Sequence, residues 1–329
     1  MANASILPRV IALLLVLAAG LARAAAEEPG WAYAVLPNAP DDPTLHTLPG
    51  SNRSFTLRQI MNLYGPADWF PNDHPPMPSV VAIGREPEVI ACSMCHYPNG
   101  KGRPENAGIA GLAKEYIVQQ MHDFRSGQRH SAKALKVNTS MMIGIAQAMT
   151  EAEIEAAAAY FSSMPWTRWV TVVETATVPT TQIRGGMYLK REGADAGVEA
   201  IGDRIIETAE DAERTDLLRD PRAGFIAYVP IGAIAKGEIL VSAGVGRTLP
   251  CATCHGQDLN GIGIFPAIRG RSPSYVARQL YDFQRGTRRG AMAMQMQPVV
   301  AQLSGEDILN ISAYLASLAP ISAATLTIH

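Results

Sequence analysis

Two short stretches, ACSMCHY at 91–97 and PCATCHG at 250–256, contain all four cysteines of this 329-residue chain. Each is a Cys-x-x-Cys-His motif, and the six residues are Cys92, Cys95, His96, Cys251, Cys254 and His255. This spacing is the attachment signature of c-type haems. Two thiols on one helical turn reach the vinyl groups of one porphyrin, while the adjacent imidazole reaches the iron. The sequence therefore predicts two covalently attached haems.

Other uses of paired cysteines fit these motifs less well. A four-cysteine zinc site can use two Cys-x-x-Cys pairs, but such pairs usually lie closer together in the sequence. A thioredoxin-like redox pair belongs to a strand-helix-strand context, which neither motif has. A disulfide between cysteines three positions apart would close a small strained ring and would need no histidine. Haem attachment remains the preferred interpretation.

The similarity between the two halves extends far beyond the motifs. An offset of 159 positions aligns Cys92 with Cys251 and continues without a gap to Arg129 and Arg288. Beyond that point the offset is 154, so the first copy has five more residues in the next loop. The matched pairs between the motifs and the arginines are Gly102/Gly261, Gly111/Gly270, Tyr116/Tyr275, Gln120/Gln279, Asp123/Asp282, Phe124/Phe283 and Gly127/Gly286. The two halves are copies of one domain.

Each copy carries the same series of helix signals. Apolar residues at helical spacing predict helices over 114–127 and 274–286, each of which ends at a glycine. Final helices are predicted within 149–164 and 303–318. Thr150 with Glu153 forms a capping box at the first of these, and Ser304 with Asp307 forms a weaker version at the second. The predicted fold class is mainly α.

A methionine-bearing loop precedes each final helix and offers a second axial ligand. Met142 and Met296 occupy matched positions there, and methionine ligation raises the reduction potential of a haem relative to bis-histidine ligation. A methionine near a helix is more often core filler than a ligand, so Met141, Met292 and Met294 remain alternatives. The histidines at 74, 122 and 130 are poor axial candidates, and those at 74 and 130 are expected to be solvated.

These features resemble a known family. CSMCHYPNGKG and CATCHGQDLNG, the helix ends DFRSG and DFQRG, and the segments EIEAAAAYFSSM and DILNISAYLASL are similar to two-domain, two-haem class I cytochromes c of bacteria. The resemblance covers about residues 88–164 and 238–318. It implies two class I cytochrome c domains in tandem, packed about a pseudo-twofold axis, and electron transfer in the periplasm. It also implies His/Met ligation of each iron, by His96 with Met142 and by His255 with Met296.

The two copies depart from each other in the loop beneath the haem. The family pattern has a proline there, whose carbonyl receives the N–H of the proximal imidazole. Pro266 fits this pattern in the second copy, but the first copy has Ala107. A backbone carbonyl can accept the same bond at either residue, so we expect a different loop shape and unchanged ligation.

The chain divides into five predicted segments, which are a signal peptide at 1–26, an N-terminal extension at 27–87, a first cytochrome c domain at 88–165, a linker at 166–231 and a second cytochrome c domain at 232–320. The signal is indicated by Arg9, an apolar run at 10–22 and the small residues that follow. Thirteen apolar residues are too few for an ordinary membrane span. We expect cleavage after Ala24 or Ala26 and a periplasmic protein with no transmembrane segment, the alternative being an uncleaved anchor.

The two remaining segments have no counterpart in short members of the family. The extension is expected to be an irregular arm with a short helix over 55–65 and exposed-looking side chains at Trp69 and Phe70. Packing of this arm against its own domain is the preferred interpretation, and covering a haem edge or contacting a partner are the alternatives. The linker is expected to contain a small strand pair, with the charged segment inside 204–230 as a solvated face. It contains no nucleophile motif, phosphate loop or metal cluster that would predict a catalytic domain.

Composition limits the functions that remain. A formal net charge of −2 provides no whole-molecule field for binding nucleic acid, so no nucleic-acid partner is expected. We expect an electron carrier, and not an enzyme, whose partners are redox proteins such as a dehydrogenase or a terminal oxidase. Two alternatives are a dedicated cytochrome subunit of a periplasmic dehydrogenase complex and a dihaem peroxidase. The differences between the copies predict two haems of distinct potential.

Overall fold

The computed structural model describes residues 42–321, so the predicted signal peptide and residues 27–41 of the extension lie outside the described residues. Within this range no helix is both long enough and apolar enough to cross a membrane. The described chain comprises an arm (42–87), a first repeat (88–165), a linker (166–231) and a second repeat (232–320).

The arm contains little regular structure. Its elements are two paired antiparallel strands, β1 (His46–Thr47) and β2 (Ser54–Phe55), and two single-turn helices, α1 (Leu57–Ile60) and α2 (Ser79–Ala82). The expected helix over 55–65 is therefore shorter than predicted. Beyond it, the side chain of Asn62 accepts a hydrogen bond from the backbone N–H of Tyr64 at 3.1 Å. This local bond favours a turn over a further helical turn.

Trp69 and Phe70, which look exposed in the sequence, are buried. Their exposed fractions are only 1% and 5%, and they pack with Leu48, Ile60 and Leu218. The indole Nε1 of Trp69 also donates a hydrogen bond to the carbonyl of Leu218 at 2.8 Å. Since Leu218 lies in the linker, the arm folds onto a segment 149 residues away in the sequence.

The first repeat consists of four helices, which are α3 (Cys92–His96), α4 (Lys114–Arg125), α5 (Val137–Ala148) and α6 (Glu151–Ser162). Helix α4 packs against both α5 and α6. The predicted capping box is present at the start of α6, where Thr150 and Glu153 bond to each other's backbone. Met142 lies within α5, so the segment expected to be a methionine loop is helical in this repeat.

The linker contains much more β structure than the predicted strand pair. Its seven strands are β3 (Val170–Glu174), β4 (Thr177–Pro179), β5 (Thr181–Arg184), β6 (Met187–Lys190), β7 (Val198–Ala200), β8 (Ile206–Ala209) and β9 (Phe225–Val229). Five of them form a mixed sheet in the order β3-β9-β8-β6-β5, and β4 pairs with β7. Strand β9 alternates buried and half-buried residues, as expected for a strand in the centre of a sheet. The sheet covers a core that includes Trp169, Leu189 and Phe225.

The charged part of the linker is the expected solvated face only in part: Asp211 and Glu213 are exposed, but other charged residues of the segment are buried. Asp220 is completely buried, and its carboxylate accepts a hydrogen bond from Nε of Arg214 at 2.8 Å. Arg219 is also buried, with 7% of its surface exposed. Charges are rarely buried unless they are paired or hydrogen-bonded, so this segment has specific partners elsewhere in the molecule.

The second repeat contains α7 (Ala233–Ala243), α8 (Ala252–His255), α9 (Pro273–Gln284), α10 (Gln297–Val300) and α11 (Gly305–Ser317). Helices α7 and α11 pack closely, since a Cβ atom added at Gly237 would lie 2.0 Å from the carbonyl oxygen of Asn310. A complete capping box is present at Ser304 and Asp307, as in the first repeat. The predicted helices following each motif and at the end of each repeat are thus present in both.

Candidate haem sites

The two attachment motifs adopt the same backbone path. The motif cysteines and histidines lie on or beside the short helices α3 and α8. The residue that follows each motif has a positive φ angle, 62° at Tyr97 and 85° at Gly256. The chain then turns back, and the N–H groups of Gly102 and Gly261 each donate a 2.8 Å hydrogen bond to the motif histidine's carbonyl. The duplicated sequence therefore produces a duplicated attachment turn.

Both motif histidines are held in the same orientation by a backbone carbonyl. Nδ1 of His96 lies 2.9 Å from the carbonyl oxygen of Ala107, and Nδ1 of His255 lies 2.8 Å from that of Pro266. A carbonyl can only accept, so Nδ1 carries the proton and Nε2 has a free lone pair. The bond to Ala107 confirms the expectation that a non-proline residue can take this role.

Burial makes these imidazoles suitable iron ligands. It lowers the pKa of both His96 and His255, because the charged form loses its hydration. A neutral imidazole with a fixed N–H on the far nitrogen is the form that binds a metal. The residues present thus fit the proximal side of a haem.

The four cysteines are free thiols in both motifs. Burial raises the pKa of Cys92 to about 12 and that of Cys251 to about 11. Cys92 and Cys95 are half-buried, whereas Cys254 is exposed. Cys95, Cys251 and Cys254 line the cavities beside their motifs, whereas the Cys92 thiol donates a hydrogen bond to the Val80 carbonyl at 3.4 Å.

Each motif opens into its own cavity. The first cavity is lined by His96 and Cys95 together with Phe124, Met142 and Ile145. The second cavity is lined by both motif cysteines and His255, with Phe283 and Met296 among its other residues. An apolar cavity beside a ligating histidine has the chemical character that a porphyrin requires.

The positions of the methionines do not by themselves identify the axial ligands. Met141 and Met142 both line the first cavity, and Met292 and Met296 both line the second. Met294 is 57% exposed. The choice of Met142 and Met296 as axial ligands therefore stays a prediction.

Two histidines that were expected to be solvated are not. The imidazole of His74 is only 5% exposed and lies 3.3 Å from the carboxylate of Asp68. His130 is half-buried and lines the first cavity. Both lie in loops that are covered by distant parts of the chain, which the local sequence does not indicate.

The two cavities have a wall in common. Five residues line both of them, namely Leu112, Tyr116, Gln120, Tyr275 and Gln279. All except Leu112 belong to the pairs that the sequence repeat aligns. The repeats are therefore packed so that their sites face each other through equivalent residues.

Two buried arginines hold this wall together. Arg129 and Arg288 form an antiparallel backbone bridge between the repeats. Arg129 donates to Gln120, to the hydroxyl of Tyr275 at 3.0 Å and to Gln279 at 3.1 Å. Arg288 donates to Gln279 at 3.0 Å and to Gln120 at 2.7 Å. The sequence alignment paired these residues but did not predict this role for them. Identical polar residues at matched positions of both repeats could have indicated a contact between the repeats.

The cavities differ in polarity. The polar residues that line the first are Glu105, Asn106, Gln120, Lys136, Asn138, Thr139, Gln279, Asp282 and the arginines at 129 and 278. The second is lined mainly by apolar residues, including Leu249, Phe265, Val276, Leu280 and Leu303. Burial, reinforced by the charge of Arg278, lowers the pKa of Lys136 to about 8. Lys136 is half-buried at the first cavity, and Arg271 and Arg288 are buried at the second, so cations line both cavities.

Comparison with known proteins identifies related chains. A model of the cytochrome c family matches residues 88–165 and 245–319. Cytochrome c4 from Pseudomonas aeruginosa is 25% identical over 245 residues, which cover 72% of this chain and 88% of that protein. A protein named thiosulfate dehydrogenase electron acceptor, from Thiomonas intermedia, is 25% identical over 245 residues, which cover 73% of this chain and 84% of that protein. Cytochrome c-554(548) from Halomonas halodenitrificans is 36% identical over 77 residues, which cover 23% of this chain and 93% of that protein.

Proposed function

The chain belongs to the cytochrome c family, and we propose that it is an electron carrier with two haems c, one attached in each repeat. Two cytochrome c domains in tandem give it a mainly α fold. The observation that carries the proposal is the pair of equivalent cavities, each beside a Cys-x-x-Cys-His turn and each with a histidine whose Nε2 is free. The chain is a carrier and not an enzyme.

When bound, each haem would supply an iron that cycles between two oxidation states, and this chain's residues would hold it. The proposed residues are Cys92, Cys95, His96 and Met142 for the first haem and Cys251, Cys254, His255 and Met296 for the second. The cysteines provide covalent attachment, and the carbonyls of Ala107 and Pro266 fix the tautomer and orientation of the histidines.

The common wall supports exchange of electrons between the two sites. Its residues are well buried or half-buried, and the arginine network fixes their positions. A rigid wall that excludes bulk water keeps the environment of both irons nearly constant when an electron moves. Two sites on opposite sides of one wall can hold two electrons or relay them in sequence.

We place the protein in the periplasm, with redox proteins as its partners. The support is the signal-like sequence before residue 27 and the attachment motif itself. A dehydrogenase or a terminal oxidase would serve as the electron donor or acceptor. The relative named as an electron acceptor of thiosulfate dehydrogenase favours a second candidate, a dedicated cytochrome subunit of a dehydrogenase complex.

The central experiment is haem quantification on the exported protein, combined with a reduced-minus-oxidised spectrum. We expect two covalently held haems per chain and two reduction steps in a redox titration. Chains without covalent haem would overturn the proposal. A single potential for both haems would contradict only the predicted difference between the sites.

Two further measurements separate the carrier from its alternatives. If both irons are six-coordinate, neither carbon monoxide nor cyanide should bind at neutral pH, whereas a dihaem peroxidase needs an open position. Purification as a stable complex with a dehydrogenase would favour the dedicated subunit. A freely diffusing chain that reduces generic oxidases would contradict that second candidate.

A further inference from the structure

The linker covers the attachment turn of the first repeat. Residues 213–222, here called the linker cap, provide carbonyl groups that accept hydrogen bonds from this turn. The hydroxyl of Tyr97 donates to Thr215 at 3.4 Å, and the side-chain amide of Asn99 donates to Pro221 at 2.7 Å. The cap lies outside both stretches that match the cytochrome c family. It is therefore an addition of this chain to one of its two sites.

Arg219 is the residue of the linker cap that reaches deepest into the first site. Its guanidinium donates a hydrogen bond to the carbonyl of Met94, the residue between the two motif cysteines on α3. It also lies 5.4 Å from the centre of the Tyr97 ring. Its backbone has a φ of 52°, in a region that an arginine rarely adopts. The surrounding packing therefore holds this side chain in place.

The charge of Arg219 lacks a close counter-ion. Its neighbour Arg103 pairs with Glu105 at 2.6 Å and lies 3.9 Å from Asp216. For Arg219 itself, no carboxylate within 4.0 Å is found in the described part of the chain, residues 42–321. Arginine remains protonated even when buried, so Arg219 places a positive charge beside the first motif without a direct ion pair, and Glu105 acts on it only from a greater distance.

This charge acts on the atoms that would hold the haem. The guanidinium of Arg219 bonds to the carbonyl between the two motif cysteines, so its positive charge lies within the attachment turn itself. The same positive field favours any added negative charge at this site, including the electron that reduces a haem. At the second repeat the corresponding cysteine, Cys254, is exposed, so solvent screens charges around it.

We propose that Arg219 is a positioning residue for electron transfer, which fixes the first attachment turn through Met94 and raises the reduction potential of the first haem. The inference rests on the proposed function, because it requires a haem attached at Cys92 and Cys95. Its consequence is that a linker unique to one repeat sets the order in which two similar haems are reduced. The second haem serves as an internal reference.

The test is a spectroelectrochemical titration of the intact two-haem protein and its variants. Arg219→Gln keeps a donor for the Met94 carbonyl but removes the charge, whereas Arg219→Lys keeps the charge. We expect Arg219→Gln to shift one midpoint potential downward and to leave the other unchanged. Arg219→Lys should retain most of the original value. The affected haem is assigned in a Cys251→Ser/Cys254→Ser background, which keeps only the first attachment site.

A matched control comes from the edge of the same region. Arg184 binds Asp216 at 2.7 Å, but its side chain is 59% exposed, so Arg184→Gln should leave both potentials unchanged. Unchanged potentials in Arg219→Gln would overturn the proposal. Equal shifts in Arg219→Gln and Arg219→Lys would also overturn it, because they would indicate a purely structural effect. Arg219→Met offers a second uncharged side chain if the glutamine variant is exported without haem.

The outcomes separate this inference from the function on which it rests. Failure of the proposed function would appear in the unaltered chain as absence of covalent haem. Failure of the Arg219 inference would appear as two haems of normal spectrum whose potentials do not respond to the charge at position 219.

Discussion

The two haem sites have the same hydrogen bonds within their attachment turns but differ in what covers those turns. Both attachment turns have the same hydrogen bonds from motif histidine to backbone carbonyl and from glycine N–H to histidine carbonyl. Outside, the first turn is covered by the linker cap, while in the second Thr253, Cys254 and Ile262 are exposed. The duplicated domain has kept the contacts that orient the motif histidine and has changed those that cover the attachment turn.

One pair of residues illustrates how the copies diverged without changing the turn. Tyr97 and Gly256 occupy equivalent positions with φ angles of 62° and 85°. Glycine adopts this conformation without steric cost, whereas tyrosine, with a ψ of 158°, does so at a cost of about 1–3 kcal/mol. Tyr97 is only 2% exposed, and its hydroxyl bonds to the linker cap. Burial and this bond offset the backbone cost, so the first turn depends on its cover.

The test with the largest expected effect removes one attachment site at a time. Cys92→Ser/Cys95→Ser and Cys251→Ser/Cys254→Ser should each reduce the haem content of the denatured protein from two per chain to one. Serine cannot form the thioether, so only the intact motif retains its haem. Pyridine haemochrome absorbance measures the content. Retention of two haems in either variant would contradict the assignment of one haem to each motif.

Local features of the haem sites could be predicted from the sequence. The motif, the register between the copies, the helices ended by Gly127 and Gly286, and the capping boxes all depend on residues that are close together in the chain. The proximal carbonyls at Ala107 and Pro266 lie only 11 residues from their histidines. Short-range patterns carry enough information for such contacts.

The cover of the first site could not be predicted, because its contacts are remote. Trp69 bonds to a residue 149 positions away, and Tyr97 to one 118 positions away. Their residue types do not indicate which distant segments they contact. The charged segment around Arg219 was interpreted as solvated for the same reason. Its burial depends on partners in the first repeat that no local periodicity reveals.

The second test concerns the axial methionines, where the two sites should respond equally. Met142→Ala and Met296→Ala should each remove about half of the near-infrared charge-transfer absorbance of the ferric protein, because each affects one of two haems. Each variant should also bind carbon monoxide at one haem. Met141→Ala and Met294→Ala are the matched controls and should leave the absorbance unchanged. If a control loses the band instead, the axial ligand of that repeat is the neighbouring methionine.

The third test breaks the cover of the first site. Trp69→Ala removes a buried indole that packs against the linker, and we expect it to lower the free energy of unfolding by about 3 kcal/mol. Urea denaturation gives the value. Ile183→Ala, at a side chain that is 73% exposed on the linker sheet, should change stability by less than about 0.5 kcal/mol. A similar loss in both variants would mean that the arm and linker do not stabilise the protein through this contact.

The smallest expected effect is a pH dependence confined to the covered site. Burial disfavours the charged form of His74, but the bonds to Asp68 and to the Pro75 carbonyl, with the charge of Asp73, leave its pKa raised above the ordinary value. A histidine whose pKa is raised on folding binds protons more tightly in the folded state. Its stabilising contribution is therefore complete below about pH 6.5 and is lost as the pH rises through the folded pKa.

We expect this contribution to be under about 1 kcal/mol, since the shift is partly cancelled by burial. The measurement compares urea unfolding of the unaltered chain and of His74→Gln at about pH 5.5 and about pH 8. The stability difference between the two chains should be larger at the lower pH. Other histidines titrate in both chains, so only this difference reports on His74. A difference that is larger at the higher pH would mean that His74 is held neutral in the folded protein, and that Asp68 does not secure the arm over the first site.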